Sequence, residues 1–173
     1  MQFLGDERIG PSRWENIQKT ALDLVLDSNG ICCFSRHDNI NLLWANYTDS
    51  HKGVCLKFDI LKDPEYFQYP QKITYVSEYP SFTILSEPNE LTKVLLFTKS
   101  IDWQYEDEIR IVKPNTHGTV QFNKDALVEI IFGCNTTNDS IADIIKLADN
   151  NFHATYKKAQ RKHRELKLDI VNL

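Results

Sequence analysis

Hydrophobic positions along the chain change period several times, and each change marks an element. Trp14, Ile17, Ala21, Leu24 and Val25 fall near helical spacing, and Ser12 stands ahead of them as a cap, so a first helix is expected to run to about Asp27. Asn29-Gly30 then ends it, since glycine tolerates the positive φ of a helix terminus. Ile31 to Ser35 is a short apolar run that reads as a buried strand. A short helix starting at Asn39 or Asn41 carries Leu42, Leu43, Trp44 and Tyr47. From Gly53 to Asp59 the pattern alternates, with Val54, Leu56 and Phe58 on one face and Cys55 and Lys57 on the other, which predicts a half-buried strand.

Farther on, Lys72 to Val76 reads as a strand, Tyr79 to Pro88 as a loop and Asn89 to Thr98 as a helix. Strands are expected over Glu106 to Val112, Thr119 to Phe122 and Leu127 to Phe132. A helix over Ser140 to Asp149 is expected to bury Ile141, Ile144, Ile145 and Leu147. His153 to Lys158 and Leu166 to Val171 read as two closing strands joined by a basic stretch. Helices and closely spaced strands are mixed, so the fold class is α+β, with a mixed, mostly antiparallel sheet flanked by helices. At 173 residues the chain is expected to form one domain, residues 1–173.

Composition narrows the function classes. A hydrophobic fraction of 42% with 25% charged residues is that of a globular chain, which excludes disorder and collagen. Mean hydropathy is -0.41 and no apolar run reaches membrane-spanning length, so no membrane partner is expected. The start, MQFLGDERIG, lacks an export signal, and the four cysteines form no C-x-x-C pair. Reduced core thiols in a cytoplasmic protein are therefore expected, without a disulfide framework or a metal site. The net charge of -4 gives no whole-protein basic footprint. No G-x-G-x-x-G, P-loop, G-x-S-x-G or H-E-x-x-H motif occurs.

Three groups of residues could carry chemistry. Trp44, Tyr47 and His51, with Gly53 beyond them, could hold a flat heterocycle by stacking and hydrogen bonding; the alternative is two core aromatics and a turn histidine. The segment from Lys99 to Ile111 holds the second group. Strand period two sends Glu106, Glu108 and Arg110 to one face and Tyr105, Ile109 and Ile111 to the other. Two carboxylates beside a guanidinium could orient a sugar hydroxyl or face a developing cation, or could simply form surface ion pairs. The third group is the basic stretch from Lys157 to Lys167, which could contact nucleic-acid phosphates or form a solvated hairpin end.

Taken together, five segments resemble a bacterial family, the domain of unknown function 2971. They are Cys33-Phe34-Ser35; Leu43-Trp44-x-x-Tyr47-x-x-x-His51-x-Gly53-Val54-Cys55-x-x-Phe58-Asp59; Ile73-Thr74-Tyr75; Lys99-Ser100-x-x-Trp103-x-Tyr105-Glu106-x-Glu108-x-Arg110; and Glu129-Ile130-Ile131-Phe132-Gly133. The resemblance spans roughly residues 30 to 170 and implies a bacterial or phage-borne protein, often near mobile elements, without naming a reaction. Longer members begin with a Tyr- or His-containing strand, a helix and an Asn-Asp-Pro segment, so this chain resembles an N-terminally short member.

A weaker resemblance, to ADP-ribosyltransferases, rests on Glu106-x-Glu108 and on Ser35 after Phe34. It implies an ADP-ribosyltransferase-like fold that uses NAD in a toxin or phage-conflict setting. Glu108 would hold the nicotinamide ribose and Glu106 would assist a macromolecular acceptor. Ser35, Trp44, Tyr47, His51, Tyr105 and Arg110 would border the cofactor. The alternatives are a non-catalytic protein that binds a protein partner or a nucleotide, and an enzyme that cleaves nucleic acid or a glycosidic bond with Glu106 and Glu108.

Overall fold

Leu127–Phe132 (β7) shows how the chain organises its larger sheet. Its sequence, LVEIIF, is nearly continuously apolar because the strand is central and covered on both faces. The computed structural model describes Asn16, Lys19, Thr20 and Asp23, and residues 27–78, 80 and 88–173. The chain divides into two compact units, each built from separated segments. One comprises Met1–Phe34 and Tyr69–Thr119, the other Ser35–Gln68 and Val120–Leu173.

In the second unit, Val54–Phe58 (β2), β7, Thr155–Arg161 (β8) and Leu168–Asn172 (β9) form a four-stranded sheet in the order β2-β7-β8-β9. The β2-β7 and β8-β9 pairs are antiparallel and β7-β8 is parallel. Asn138–Asp149 (α3) packs Ile141, Ile144, Ile145 and Ala148 against Leu127, Ile130 and Phe132. Thr137 caps it by accepting from the Ser140 amide at 3.2 Å. Leu147, expected in the core, lies on the opposite side of this helix and is 69% exposed. On the other face of the sheet, Trp44 from Asn41–Tyr47 (α1) packs with Ile131, Ala159 and Leu168. This seven-residue helix has no side-chain N-cap, and its anchor is the Trp44 indole, which donates to the Asp38 carbonyl at 2.7 Å.

In the first unit, Asn29–Ser35 (β1, whose last residue, Ser35, is counted with the second unit), Glu108–Pro114 (β6) and Gln71–Lys72 (β3) form a sheet in the order β1-β6-β3. Thr74–Val76 (β4) pairs in parallel with Thr98–Ser100 (β5), which follows Pro88–Phe97 (α2) directly. Parallel and antiparallel pairs thus coexist with flanking helices, and the fold is α+β. The buried apolar residues here include Ile73, Leu96 and Ile111.

Three expectations are corrected or lie elsewhere. Thr119 to Phe122 is not a strand. The chain is held there by side chains: the Asp63 carboxylate accepts from the Asn123 amide, and Phe122 joins Phe58, Tyr66 and Phe152 in an aromatic cluster. The cysteines are free, but none is fully buried, and Cys33 is exposed. The helix expected over Ser12 to Asp27 and the loop over Tyr79 to Pro88 lie largely outside the described residues. Asn16, Lys19, Thr20, Asp23 and Asp27 are helical and exposed.

Candidate functional site

The acidic segment does not form one strand. Residues Ile101–Glu106 make a 3-10 helix capped by the Ser100 hydroxyl, and the strand begins only at Glu108. Between them Asp107 takes a left-handed conformation, φ 44. Few non-glycine residues occupy that region, although aspartate is among those that do so most readily. This single turn replaces the period-two geometry expected from the sequence. It brings Glu106, from the 3-10 helix, and Glu108, from the strand, onto one cation.

That cation is Lys99, at the centre of β5. Its Nζ pairs with Glu106 Oε2 and lies 3.1 Å from Glu108 Oε2. Lys99 also sits over the Trp103 ring, 5.0 Å from its centroid. Glu108 Oε1 accepts from Arg110 Nε at 2.6 Å, and Arg110 Nη1 donates to the Leu96 carbonyl. The Cys33 thiol, on β1, donates to the same carboxylate. The Tyr75 hydroxyl, on β4, accepts from the Glu108 amide at 2.9 Å. Glu106 is 3% exposed and Glu108 6%.

Charges this deeply buried persist only when paired and hydrogen-bonded. Burial alone would raise the Glu108 carboxyl, but hydrogen bonds from Arg110, Cys33 and Lys99 hold it down at about 2. Glu108 is therefore an anion across the neutral range, and it cannot serve there as a proton donor. Lys99 responds in the opposite sense: burial lowers it, and the two glutamates more than reverse this, leaving it raised. Desolvation of the sulfur and the adjacent Glu108 push the Cys33 thiol up to about 11, although the residue as a whole is exposed. It is a hydrogen-bond donor rather than a thiolate.

Trp44, Tyr47, His51 and Ser35 belong to the second unit. Trp44 is a buried core residue, Tyr47 is 63% exposed, and the pair does not present a common face. Ser35, at the end of β1, accepts from the His37 amide at 3.1 Å. His51 is buried, its Nδ1 has no hydrogen-bond partner among the described residues, and burial followed by the charge of Arg161 lowers its pKa. It ends a run of three residues with positive φ, Asp49, Ser50 and His51. The segment Cys134–Thr136 clamps this run. Asn135 donates to the Ser50 and His51 carbonyls, and the Thr136 hydroxyl donates to the Lys52 carbonyl. Gly133 makes that approach possible, because a Cβ there would lie 2.0 Å from the His51 carbonyl oxygen.

Tyr105 and Arg110 lie in the first unit with the two glutamates. Tyr105 is partly buried and tilted against Trp103, with ring centroids 6.0 Å apart. Sequence reasoning did not single out Lys99, Cys33 and Tyr75, although all three stand inside the family-like segments. Lys99 is 9 positions and Tyr75 33 positions from Glu108, and Cys33 is farther still, offsets that carry no periodic signal. No group of three or more His, Cys, Asp or Glu suited to a metal ion occurs among the described residues, and none of their helices is long and apolar enough to cross a membrane.

The model of a family described as protein of unknown function (DUF2971) matches residues 43–111. The chain is similar to that family over this stretch, which includes Trp44, His51, Tyr75, Lys99 and the Glu106 to Arg110 segment. No curated protein and no solved structure matches the chain.

Proposed function

We propose that this chain is a binding protein in which Glu106 and Glu108 are structural charges rather than catalytic groups. One observation carries the reading: both oxygens of the buried Glu108 carboxylate are already engaged, one by Arg110 Nε and the other by Lys99. A carboxylate that steadies a developing positive charge must meet the substrate with its field uncompensated. Here two cations neutralise two anions within the protein. A glycosidic-bond or phosphodiester cleavage that used Glu108 as its proton donor is weakened further, because that carboxyl is held at about 2. In the second unit, the consecutive residues Ile60 and Leu61, 51% and 83% exposed, offer an apolar contact for a protein partner.

ADP-ribosyl transfer from NAD, in a toxin or phage-conflict setting, is the second reading. It is favoured by the permanent ionisation of Glu108, which a group facing an oxocarbenium-like centre requires. It would oblige a ribose hydroxyl to displace Arg110 or Lys99 from that carboxylate. Purified wild type and Glu108→Gln are incubated with NAD, and released nicotinamide and added mass are followed alongside thermal melting. The binding reading expects intact NAD with wild type and a lower melting temperature for Glu108→Gln. Wild-type turnover that disappears in Glu108→Gln at an unchanged melting temperature would establish the enzyme reading instead.

A further inference from the structure

Segment 48–53 of the second unit holds strain against a clamp. Asp49, Ser50 and His51 have φ of 47, 55 and 69, three consecutive non-glycine residues in the left-handed region. Such a run persists only where its surroundings over-determine it. Here the surroundings are the connection between β7 and α3. The Asn135 amide donates to the His51 carbonyl at 3.0 Å, and its side chain donates to the Ser50 carbonyl at 2.9 Å. The Thr136 hydroxyl donates to the Lys52 carbonyl at 2.8 Å, and the Gly133 amide to the Gly53 carbonyl at 2.9 Å.

Within this turn Asp49, Ser50 and Lys52 are exposed, and His51 is buried. The His51 Nδ1 has no hydrogen-bond partner among the described residues. A neutral imidazole can keep that nitrogen as a bare lone pair. The imidazolium cannot, because both ring nitrogens then carry hydrogen. A buried N–H without an acceptor is costly, and a buried charge more so. The ionisable groups of the surrounding elements do not compensate it. Tyr47, at the end of α1, is exposed. Asp49 and Lys52, in the turn itself, pair with each other at 3.1 Å in solvent. Cys134, in the facing connection, donates to the Asn135 side-chain oxygen at 3.7 Å. The strand β8 contributes Arg161, a like charge that adds to burial in disfavouring the protonated ring.

We propose that segment 48–53 is an acid-operated latch, in which protonation of His51 releases the turn from Gly133–Thr136 while the sheet stays folded. The left-handed run assists the release, because residues 49–51 can relax to negative φ once the clamp weakens. The latch lies wholly in the second unit and stands or falls independently of the NAD experiment.

The test follows amide hydrogen exchange in the full chain between pH 7.5 and 5, with each rate divided by the intrinsic rate at that pH. Glu108, held at about 2, stays ionised throughout. Below the ordinary histidine value of about 6.5 the open turn takes up a proton before the closed one. Protection should therefore fall by up to about tenfold per pH unit, until the closed form titrates as well. Amides of residues 48–53 and 133–136 should lose protection together, while those of 127–132 and 155–160 keep theirs. His51→Asn, whose side chain tolerates positive φ and does not titrate, should abolish the pH dependence. Arg161→Gln should reduce the fall, since the closed form then titrates at higher pH. Unchanged protection across residues 48–53 from pH 7.5 to 5 would overturn the proposal, as would the same fall in His51→Asn. An equal loss of protection across 127–132 would overturn it too, because acid would then be opening the whole sheet rather than the turn.

Discussion

The two units of this chain fill their interiors with different chemistry. The second covers both faces of its sheet with apolar side chains: Ile130 and Phe132 against α3, and Ile131 against Trp44 of α1. The first buries Leu96 and Ile111 too, but it also buries two carboxylates against Lys99 and Arg110. Apolar burial is non-directional, so its strength follows area. A buried charge network depends on geometry and fails sharply when one partner is lost. The first unit is thus specified by a few partners, and the second by the volume of many.

The sharpest way to break this contrast is to remove one group from each interior. Glu108→Gln leaves Arg110 and Lys99 short of a counter-charge and should cost about 3–5 kcal/mol at neutral pH, measured by denaturant unfolding. Phe132→Ala should cost a similar amount, about 3–5 kcal/mol, through the cavity it leaves. Acid separates them. Glu108 is held at about 2, below its unfolded value, so its contribution is present above that unfolded value and is lost as pH falls toward 2. The Glu108→Gln deficit should shrink over that window, whereas the Phe132→Ala deficit should not. Equal acid sensitivity in the two variants would contradict the assignment.

A smaller effect tests the clamp in the second unit. Gly133→Ala sets a methyl group against the His51 carbonyl, and backbone must move, at a cost of about 1–3 kcal/mol. Faster amide exchange across residues 48–53 would locate the damage. The smallest effect concerns His51 itself. Its folded pKa is depressed, so the unfolded chain binds the proton first, and stability should fall as pH drops through the ordinary histidine range near 6.5. His51→Gln should flatten that part of the stability–pH curve. A curve unchanged by the substitution would place the titration elsewhere.

Much of the element order is legible in the residues. The alternation from Val54 to Phe58, the apolar run from Leu127 to Phe132 and the helix containing Ile141 and Ile144 all lie where their patterns place them. The misses have physical causes. Val120 and Phe122 alternate like a strand, yet an aromatic cluster and the Asp63 carboxylate hold that segment without a ladder. Glu106 stands two positions before Glu108, as a strand register would require, but local capping by Ser100 favours a 3-10 turn, and Asp107 supplies the reversal. The candidate site was legible only in part. Residue identity marks Glu106, Glu108 and Arg110 as chargeable, but nothing in their spacing indicates that Lys99 sits between the two carboxylates or that Cys33 donates to one of them.

What the sequence determined by itself is local: periodicity, turn residues, and which side chains are able to carry charge. Those follow from neighbours a few positions apart, through backbone geometry and side-chain type. What only the tertiary structure decided is which charges are compensated. Pairing Lys99 with Glu106 and Glu108 depends on elements brought together by the fold. An ionisable group's behaviour is set by its desolvation and by the nearest opposite charge, and both are properties of the folded arrangement rather than of the chain.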